Sequence, residues 1–397
     1  MNFTMDRKEK ILFLCDLNGN GLEIGPSFNP VVTKKEGYNV EIIDHLDREG
    51  LIKKYYGSGL NLDNIEKVDY VWKGEKYAEL TGKKDYYDYI IASHVIEHTC
   101  DMITFLNDCS ELLKKNGVLS LAIPDKRFVF DCFRPITNIS KVIDSYFAKH
   151  TLHTPGSVCD FYLNTYSNDN RIVWDASIPL SNLCLSHKVD RIKEGLKDSL
   201  DRKGYIDIHN WVFTKSSFEL LIHDLNFLGF IQLSIAKSFH TVGGEFYVSL
   251  KKTGESVIFD EDMRIQLLLD INRELREINF KSKILHLLNK LESGISESMQ
   301  YFIDSIKRMS GYAVIDGWAF IEGMNCDSIV LYIEVLDKRG MPAVFSTMKK
   351  QRADVEENFD NKMYRNSGFA AVIDLSEFEF DFENNDKMSI KVIGVTI

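Results

Sequence analysis

Two short apolar runs near the start of the chain set the strongest limit on its fold. The first, Gly21-Leu-Glu-Ile-Gly25, ends in a glycine and enters the loop Pro26-Ser-Phe-Asn-Pro30. The second, Val40-Glu-Ile-Ile-Asp44, ends in a carboxylate twenty-one residues after Glu23. A glycine at a strand-to-loop turn lets a ligand approach the backbone. A carboxylate at the tip of the next strand can accept hydrogen bonds from two ribose hydroxyls. The pair predicts the first two parallel strands of a doubly wound α/β sheet, with a nucleoside held outside their carboxyl ends.

The pattern continues through residues 1–255, where short apolar runs alternate with amphipathic stretches. Candidate strands are Gly21–Ile24, Val40–Ile43, Val68–Val71, Tyr87–Ala92, Val118–Ile123, Phe230–Ala236 and Glu245–Leu250. Met102–Lys115 has helical periodicity, with Gly117 as its stop. The span of about 126–210 is polar and weakly periodic, and reads as a cap or substrate element inserted in the sheet. Residues 256–308 carry apolar residues at 3,4 spacing (Leu268, Ile271, Leu275, Ile278, then Ile284, Leu288, Leu291, Ile295, Met299 and Phe302 after a phase slip). They predict one or two long amphipathic helices, packed either on their own chain or in a coiled coil that makes a homo-oligomer. Residues 309–397 alternate apolar and polar residues between turns, which predicts a small antiparallel β-sandwich. The chain stops straight after a strand pattern, as a last edge strand or a shortened end would. In the sandwich Trp318, Phe320 and Tyr332 either fill a core or stack on sugar rings.

The loop after Gly25 lacks the further glycines of G-x-G-x-x-G: Pro26, Ser27, Phe28 and Asn29 stand there. It suits a ligand with ribose and adenine but no phosphate, and S-adenosylmethionine is such a ligand. Glu23 would reach its amino group and Gly25 would flank its amino-acid portion. Together with Asp88-Tyr-Ile-Ile-Ala-Ser-His-Val-Ile-Glu-His98 and Leu112-Leu-Lys-Lys-Asn-Gly-Val-Leu-Ser-Leu-Ala-Ile-Pro124, these motifs resemble class I S-adenosylmethionine-dependent methyltransferases over residues 15–125. The two last strand candidates match that family's closing hairpin. The missing second glycine, replaced by Pro26-Ser27, is a departure. The resemblance implies a Rossmann-like seven-stranded sheet and S-adenosylmethionine as cosubstrate. It places Glu23, Gly25 and Ser27 at the methionine part, Asp44 at the ribose with His45 lining the same pocket, and Trp72, Lys73 and Gly74 at the adenine. Ser93 and His94 would lie below the sulfonium. Glu97 and His98 would brace the following helix. The Pro-Asp-Lys-Arg-Phe rim also resembles methyltransferases encoded with enzymes of bacterial surface-polysaccharide assembly, implying O-methylation of a sugar and glycan-assembly partners.

A hydroxyl acceptor needs a base, since a neutral alcohol is a poor nucleophile at neutral pH. Of the ten histidines, His94, His187, His209 and His240 stand in suggestive places. His209, in Asp207-Ile-His-Asn-Trp, precedes the last strands on the side where substrate elements converge. It is the first candidate base, or else a helix-entry histidine bonded to backbone; His94 is the second. Asp125 follows the fifth strand at the rim and joins them as a candidate catalytic residue. Lys126, Arg127 and Arg134 either bind an anionic acceptor or form ion pairs.

Composition excludes several classes. Lys plus Arg is 48 against 59 Asp plus Glu, a net charge of −11, so a general nucleic-acid binder is not expected. No run of about 18 apolar residues occurs, so no membrane span is expected. The seven cysteines are irregularly spaced without a CxxC, which reads as reduced thiols in a cytoplasmic protein with no zinc cage. No carboxylate cluster demands a metal, and none is expected. A methyltransferase for a small metabolite and a silent nucleoside-binding scaffold are the competing readings.

Overall fold

The computed structural model describes residues 5–174, 183–254, 257–292, 299–309, 312–336, 342–374 and 390–396. The chain divides into two compact units, Met1–Phe280 and Lys281–Ile397. The first contains α1 (Arg7–Leu12), β1 (Gly21–Ile24), β2 (Val40–Asp44), α2 (Arg48–Tyr55), β3 (Tyr70–Val71), α3 (Tyr77–Thr81), β4 (Tyr87–Ser93), α4 (Met102–Leu112) and β5 (Leu113–Pro124). After these come α5 (Ile139–Phe147), α6 (Pro155–Asn164), β6 (Tyr166–Asn168), β7 (Leu183–Leu185), α7 (Val189–Leu200), α8 (Lys215–Phe227), β8 (Leu233–Val242) and β9 (Glu245–Lys252), and α9 begins at Glu261 (Glu261–Glu292).

Seven strands form one sheet in the order β3-β2-β1-β4-β5-β9-β8. The first five are parallel, and β9 runs antiparallel to both its neighbours. This is the Rossmann-like α/β fold expected, closed by the hairpin. The order reverses at β1 and β4, and such a switch point opens a crevice at the carboxyl ends of the strands. The central strands are buried on both faces. Leu22, Ile90, Ile91, Leu119 and Leu121 are fully buried, as expected of parallel strands covered by helices. Each such side chain contributes roughly 1.5–3 kcal/mol on leaving water.

Two boundaries differ from expectation for local reasons. Helix α4 starts as its N-cap dictates, with Asp101 accepting from the Thr104 N–H at 3.1 Å. It ends at Leu112 rather than Lys115, because Leu113 already belongs to β5 and pairs with Tyr87 of β4. Gly117 is therefore part of a strand and not a helix stop. The inserted region after β5 is built from α5, α6 and α7 with the small β6–β7 ladder.

The expected helical zone splits. Helix α9 covers Glu261–Glu292, but Met299–Met309, expected as its continuation, is strand β10. Its partner is β11 (Tyr312–Ile321), paired antiparallel with an irregularity between Ile303 and Ser305. That bulge puts one extra residue in the strand, so the partly buried Met299, Ile303 and Ile306 are spaced four and three apart. This spacing imitates a helix period. Early in α9, Leu267 and Ile271 are buried. Ser216 Oγ donates to Glu274 at 2.9 Å, and Arg264 pairs with Asp224. This stretch of the helix packs on its own chain.

The second unit continues with β12 (Ile329–Leu336), β13 (Pro342–Ser346), β14 (Met348–Lys350), α10 (Ala353–Asn358), β15 (Gly368–Asp374) and β16 (Ile390–Thr396). A four-stranded sheet, β10-β11-β15-β14, and a three-stranded sheet, β13-β12-β16, share one core of Ile315, Ile333, Phe369 and Val392. The arrangement is the antiparallel sandwich expected, beginning at Met299 rather than 309. Phe320 is core and stacks on Tyr364 at 3.9 Å between ring centroids, with partly buried Trp318 stacked on it at 5.7 Å. The side chain of Tyr332 lies outside the described residues.

Candidate active site

The cofactor end of the crevice is shaped by backbone. Gly25 follows β1 with φ of 64°, and its N–H donates to Ile43 O at 2.8 Å. A Cβ there would stand 3.0 Å from a Val95 methyl. The position thus combines a left-handed turn with a tight approach to the next element. Two residues on, Ser27 also takes a positive φ, 54°. The absent second glycine is replaced by a serine held in the same region of conformation. Its N–H donates to Asp44 Oδ2 at 3.0 Å, and its hydroxyl to the Tyr55 hydroxyl at 2.8 Å.

The two carboxylates at the strand tips differ. Asp44 accepts from Ser27 N–H, from His45 N–H at 2.7 Å, and contacts His45 Nδ1 at 2.6 Å. A carboxylate offers about four lone-pair positions. One stays open on Oδ2, and the half-exposed His45 ring can turn away to free a second. Glu23 is 1% exposed and accepts the Val31 and Val32 N–H groups at 2.7 and 3.2 Å. It holds the loop from inside. Burial pushes its carboxyl up to about 7, against the pull of those two N–H groups. On the adenine side, Gly74 has φ of 108°. Half-exposed Trp72 donates Nε1–H to Glu75 O at 2.7 Å, and the Lys73 N–H donates to Glu75 Oε2 at 2.8 Å. A left-handed glycine close against the next element and an aspartate with open lone pairs fit an adenosine-bearing ligand such as S-adenosylmethionine.

The other end of the crevice is a side-chain network. Its centre is the turn after β4, where His94 has φ of 55°. His94 Nε2 meets Glu245 Oε2 at 2.7 Å, and its Nδ1 lies 3.4 Å from Glu97. Burial alone would lower the imidazole's pKa, but the carboxylates of Glu245 and Glu97 outweigh it and carry it up to about 10. Arg7 of α1 binds Glu245 at 2.6 Å and Ser93 Oγ at 2.8 Å. Ser93 and His94 are thus already engaged by protein groups. Arg7 and Glu245 carry no motif, so the sequence offered no signal for either.

Segment 209–211 is fastened to this turn by backbone. The N–H groups of Asn210 and Trp211 donate to Glu97 O at 2.7 and 3.1 Å, and Trp211 Nε1–H donates to Thr99 Oγ1 at 3.0 Å. His209 is therefore held beside Glu97 and His98, its ring 4.7 Å from the His98 ring. His209 Nδ1 contacts Asp131 Oδ2 at 2.5 Å. Arg134 fixes the other Asp131 oxygen at 2.8 Å. Burial would raise Asp131, but His209 and Arg134 hold it below the ordinary carboxylate range. The arrangement orients an imidazole with Nε2 free, as a base requires. Of the other two histidines named, His187 packs against Phe161 and Tyr162 in the insertion, and His240 lies on β8.

The rim residues turn inward, which corrects their expected roles. Asp125 is fully buried, bound by Arg127 at 2.7 Å and by the Thr241 hydroxyl at 2.6 Å. It braces the rim and does not face a substrate as a base. Lys126 is buried and donates to Cys132 O at 2.7 Å. Arg134 is buried between Asp131 and Asp160. Of the two alternatives for these cations, the structure takes the ion pair and the internal hydrogen bond, since leaving a buried charge unpaired costs several kcal/mol. Beside the cluster, Asn210 also lines a cavity of about 340 Å³ with Asn138, Lys141, Asp144 and His153.

A seven-stranded sheet with this order and a nucleoside crevice at β1 and β2 defines a class I S-adenosylmethionine-dependent methyltransferase, an enzyme. Residues 3–227 match the family described as "Methyltransferase domain", and the chain belongs to that family. No curated protein matches the chain. Similar solved structures include an S-adenosylmethionine-dependent methyltransferase from Mesorhizobium loti. It is 11% identical, with a TM-score of 0.33, over 62% of this chain and 97% of that one. A SAM-dependent methyltransferase from Aquifex aeolicus is 11% identical, with a TM-score of 0.28, over 62% and 94%. The CurJ carbon methyltransferase is 11% identical, with a TM-score of 0.28, over 59% of this chain and 48% of that one. The chain thus spans about half of the latter's length. Among the described residues, no helix is long and apolar enough to cross a membrane.

Proposed function

We propose that the chain methylates a hydroxyl oxygen of a sugar in a surface glycan. When bound, S-adenosylmethionine supplies a methyl group on a positively charged sulfur, already activated for in-line displacement. Asp44 binds the ribose hydroxyls, Gly25 and Ser27 line the methionine part, and Trp72 and Gly74 lie on the adenine side. Glu23 and Ser27 keep the loop in shape. His209 Nε2 takes the acceptor hydroxyl's proton as the oxygen attacks the methyl carbon, and Asp131 stabilises the imidazolium. The observation that carries this reading is the buried His209–Asp131 contact at 2.5 Å, since an oriented base is what an alcohol acceptor needs and an already acidic acceptor does not.

The cavity beside Asn210 offers hydrogen-bonding groups from Asn138, Asp144 and His153, which supports an acceptor with hydroxyls. The sugar itself rests on the resemblance of the Pro124–Phe128 rim to glycan-associated methyltransferases. Leu268 and Leu269 remain exposed on α9, which supports self-association along that helix in a cytoplasmic glycan-assembly complex. The test is label transfer from S-adenosylmethionine to a panel of acidic and neutral oligosaccharides beside non-sugar acceptors. Labelled sugar is the expected result; label only on non-sugar acceptors contradicts it.

A further inference from the structure

Glu97 is the least satisfied side chain in the cluster. It is 1% exposed, and among the described residues only the long His94 contact approaches hydrogen-bonding distance of its carboxylate. Burying a carboxylate without such bonds is costly, and a native structure tolerates it where something else supplies the charge. His94 stands at ion-pair distance, 3.4 Å, but Glu245 holds its other nitrogen. What surrounds Glu97 on the remaining side is two imidazoles. One ligating atom each from Glu97, His98 and His209 lie within 4.8 Å of one another, and His98 Nε2 is 4.0 Å from Glu97 Oε1. His98 Nδ1 lies 2.9 Å from Asp207, with its Nε2 on the side of Glu97. His209 Nδ1 meets Asp131 at 2.5 Å, which leaves its Nε2 for another partner. A carboxylate on the far nitrogen is how metal-ligating histidines are oriented and made more basic.

We infer that Glu97, His98 and His209 form a site for a divalent first-row transition cation that holds the acceptor hydroxyl. Two imidazoles with one carboxylate favour manganese, iron, cobalt or zinc over magnesium or calcium. Three protein ligands leave open positions, as catalytic cation sites do. An ion bonded at about 2.1 Å to three ligands at tetrahedral or octahedral angles holds their atoms about 3.0–3.4 Å apart. The pairs here, up to 4.8 Å apart, close by up to about 1.5 Å when the ion binds, a shift of side-chain torsions. The four carboxylates of Glu97, Asp131, Asp207 and Glu245 are faced by the guanidiniums of Arg134 and Arg7 and the imidazole of His94, which leaves a net negative charge for the cation. The inference deepens the hydroxyl-acceptor reading and rests on it. With the cation in place His209 Nε2 binds it, so the role of base given to His209 above belongs to the chain without the cation. The hydroxyl is acidified by the cation, and its proton leaves to water.

The test titrates the full chain with Co²⁺ and reads the visible ligand-field bands, with S-adenosylhomocysteine binding as the check on folding. One equivalent of Co²⁺ per chain is expected, without the near-ultraviolet charge-transfer band of a cysteine ligand. Glu97→Gln should weaken it at least about tenfold. Asp207→Asn, at a side chain 63% exposed and so tolerant of change, should weaken it by a smaller factor. No stoichiometric uptake by wild-type chain that still binds S-adenosylhomocysteine overturns the site, as does uptake unchanged in Glu97→Gln. Full label transfer to hydroxyl acceptors after chelation also overturns it and leaves the hydroxyl reading standing. Uptake lost in Glu97→Gln, with label only on non-hydroxyl acceptors, supports the cation site and removes the acceptor reading.

Discussion

The two ends of the crevice are built by opposite means. At β1 and β2 the ligand-facing shape is made by backbone: a left-handed glycine, a serine forced into the same conformation, and carboxylates that accept backbone N–H groups. At the turn after β4 it is made by side chains drawn from α1, β9, the segment after β5 and the segment before α8. A backbone cradle tolerates little change at few positions and is specific for a shape. A side-chain network can be retuned residue by residue, and its energy depends on every member being satisfied. The cofactor end suits a ligand common to a whole family, and the acceptor end suits chemistry particular to one chain. Gly25 joins them, since the Cβ it lacks would press on Val95 in the acceptor-side turn.

That contrast predicts separable failures. His209→Ala should lower kcat by about 10²–10⁴, the usual worth of a positioned base or its equivalent, while S-adenosylhomocysteine binding measured by calorimetry stays unchanged. A parallel loss of binding would mean the two ends are not separate. Next in size is the pH response of Glu23, whose folded carboxyl is raised to about 7. A raised pKa favours the protonated form in the fold. Its contribution is complete below the ordinary value near 4.5 and is lost as pH rises through 7. Comparison of wild type with Glu23→Gln by thermal unfolding should show wild type losing on the order of 3 kcal/mol relative to the variant between pH 4 and pH 8. A constant difference would mean that the Glu23 carboxyl titrates alike in the folded and unfolded chain.

Asp44→Ala should weaken S-adenosylhomocysteine about 10–100-fold, the worth of one charged hydrogen bond at 1.5–3 kcal/mol. kcat at saturating cosubstrate should be largely kept; equal loss of kcat would place Asp44 in the acceptor end. The smallest effect is Gly25→Ala, with about 1–2 kcal/mol lost to the left-handed conformation. Its unfolding midpoint should drop while an unchanged midpoint would mean that the loop refolds around the new methyl.

The sequence made the backbone end legible and left the side-chain end nearly blank, for a physical reason. Gly25 and Asp44 sit at strand tips, where residue type is dictated by a local turn and a fixed strand spacing. His94 and His209 were singled out, but nothing in the pattern joined Glu97 and His98 to Asp131, Asp207 and His209, since contacts across 110 residues leave no periodicity. The basic rim misled because Asp160, which pairs with Arg134, comes from a helix inside the aperiodic insertion. Strand β10 carries helical spacing in its sequence because of its bulge. The sandwich and the closing hairpin were legible through simple alternation.

The placement of the nucleoside at the tips of β1 and β2 underlies every functional statement. A crystal structure of the full chain with S-adenosylhomocysteine tests it most directly. The account predicts the ribose on Asp44 and the sulfur turned toward His209 and Glu97. Density for the ligand at any other edge of the sheet, or a sulfur facing away from that pair, would contradict it.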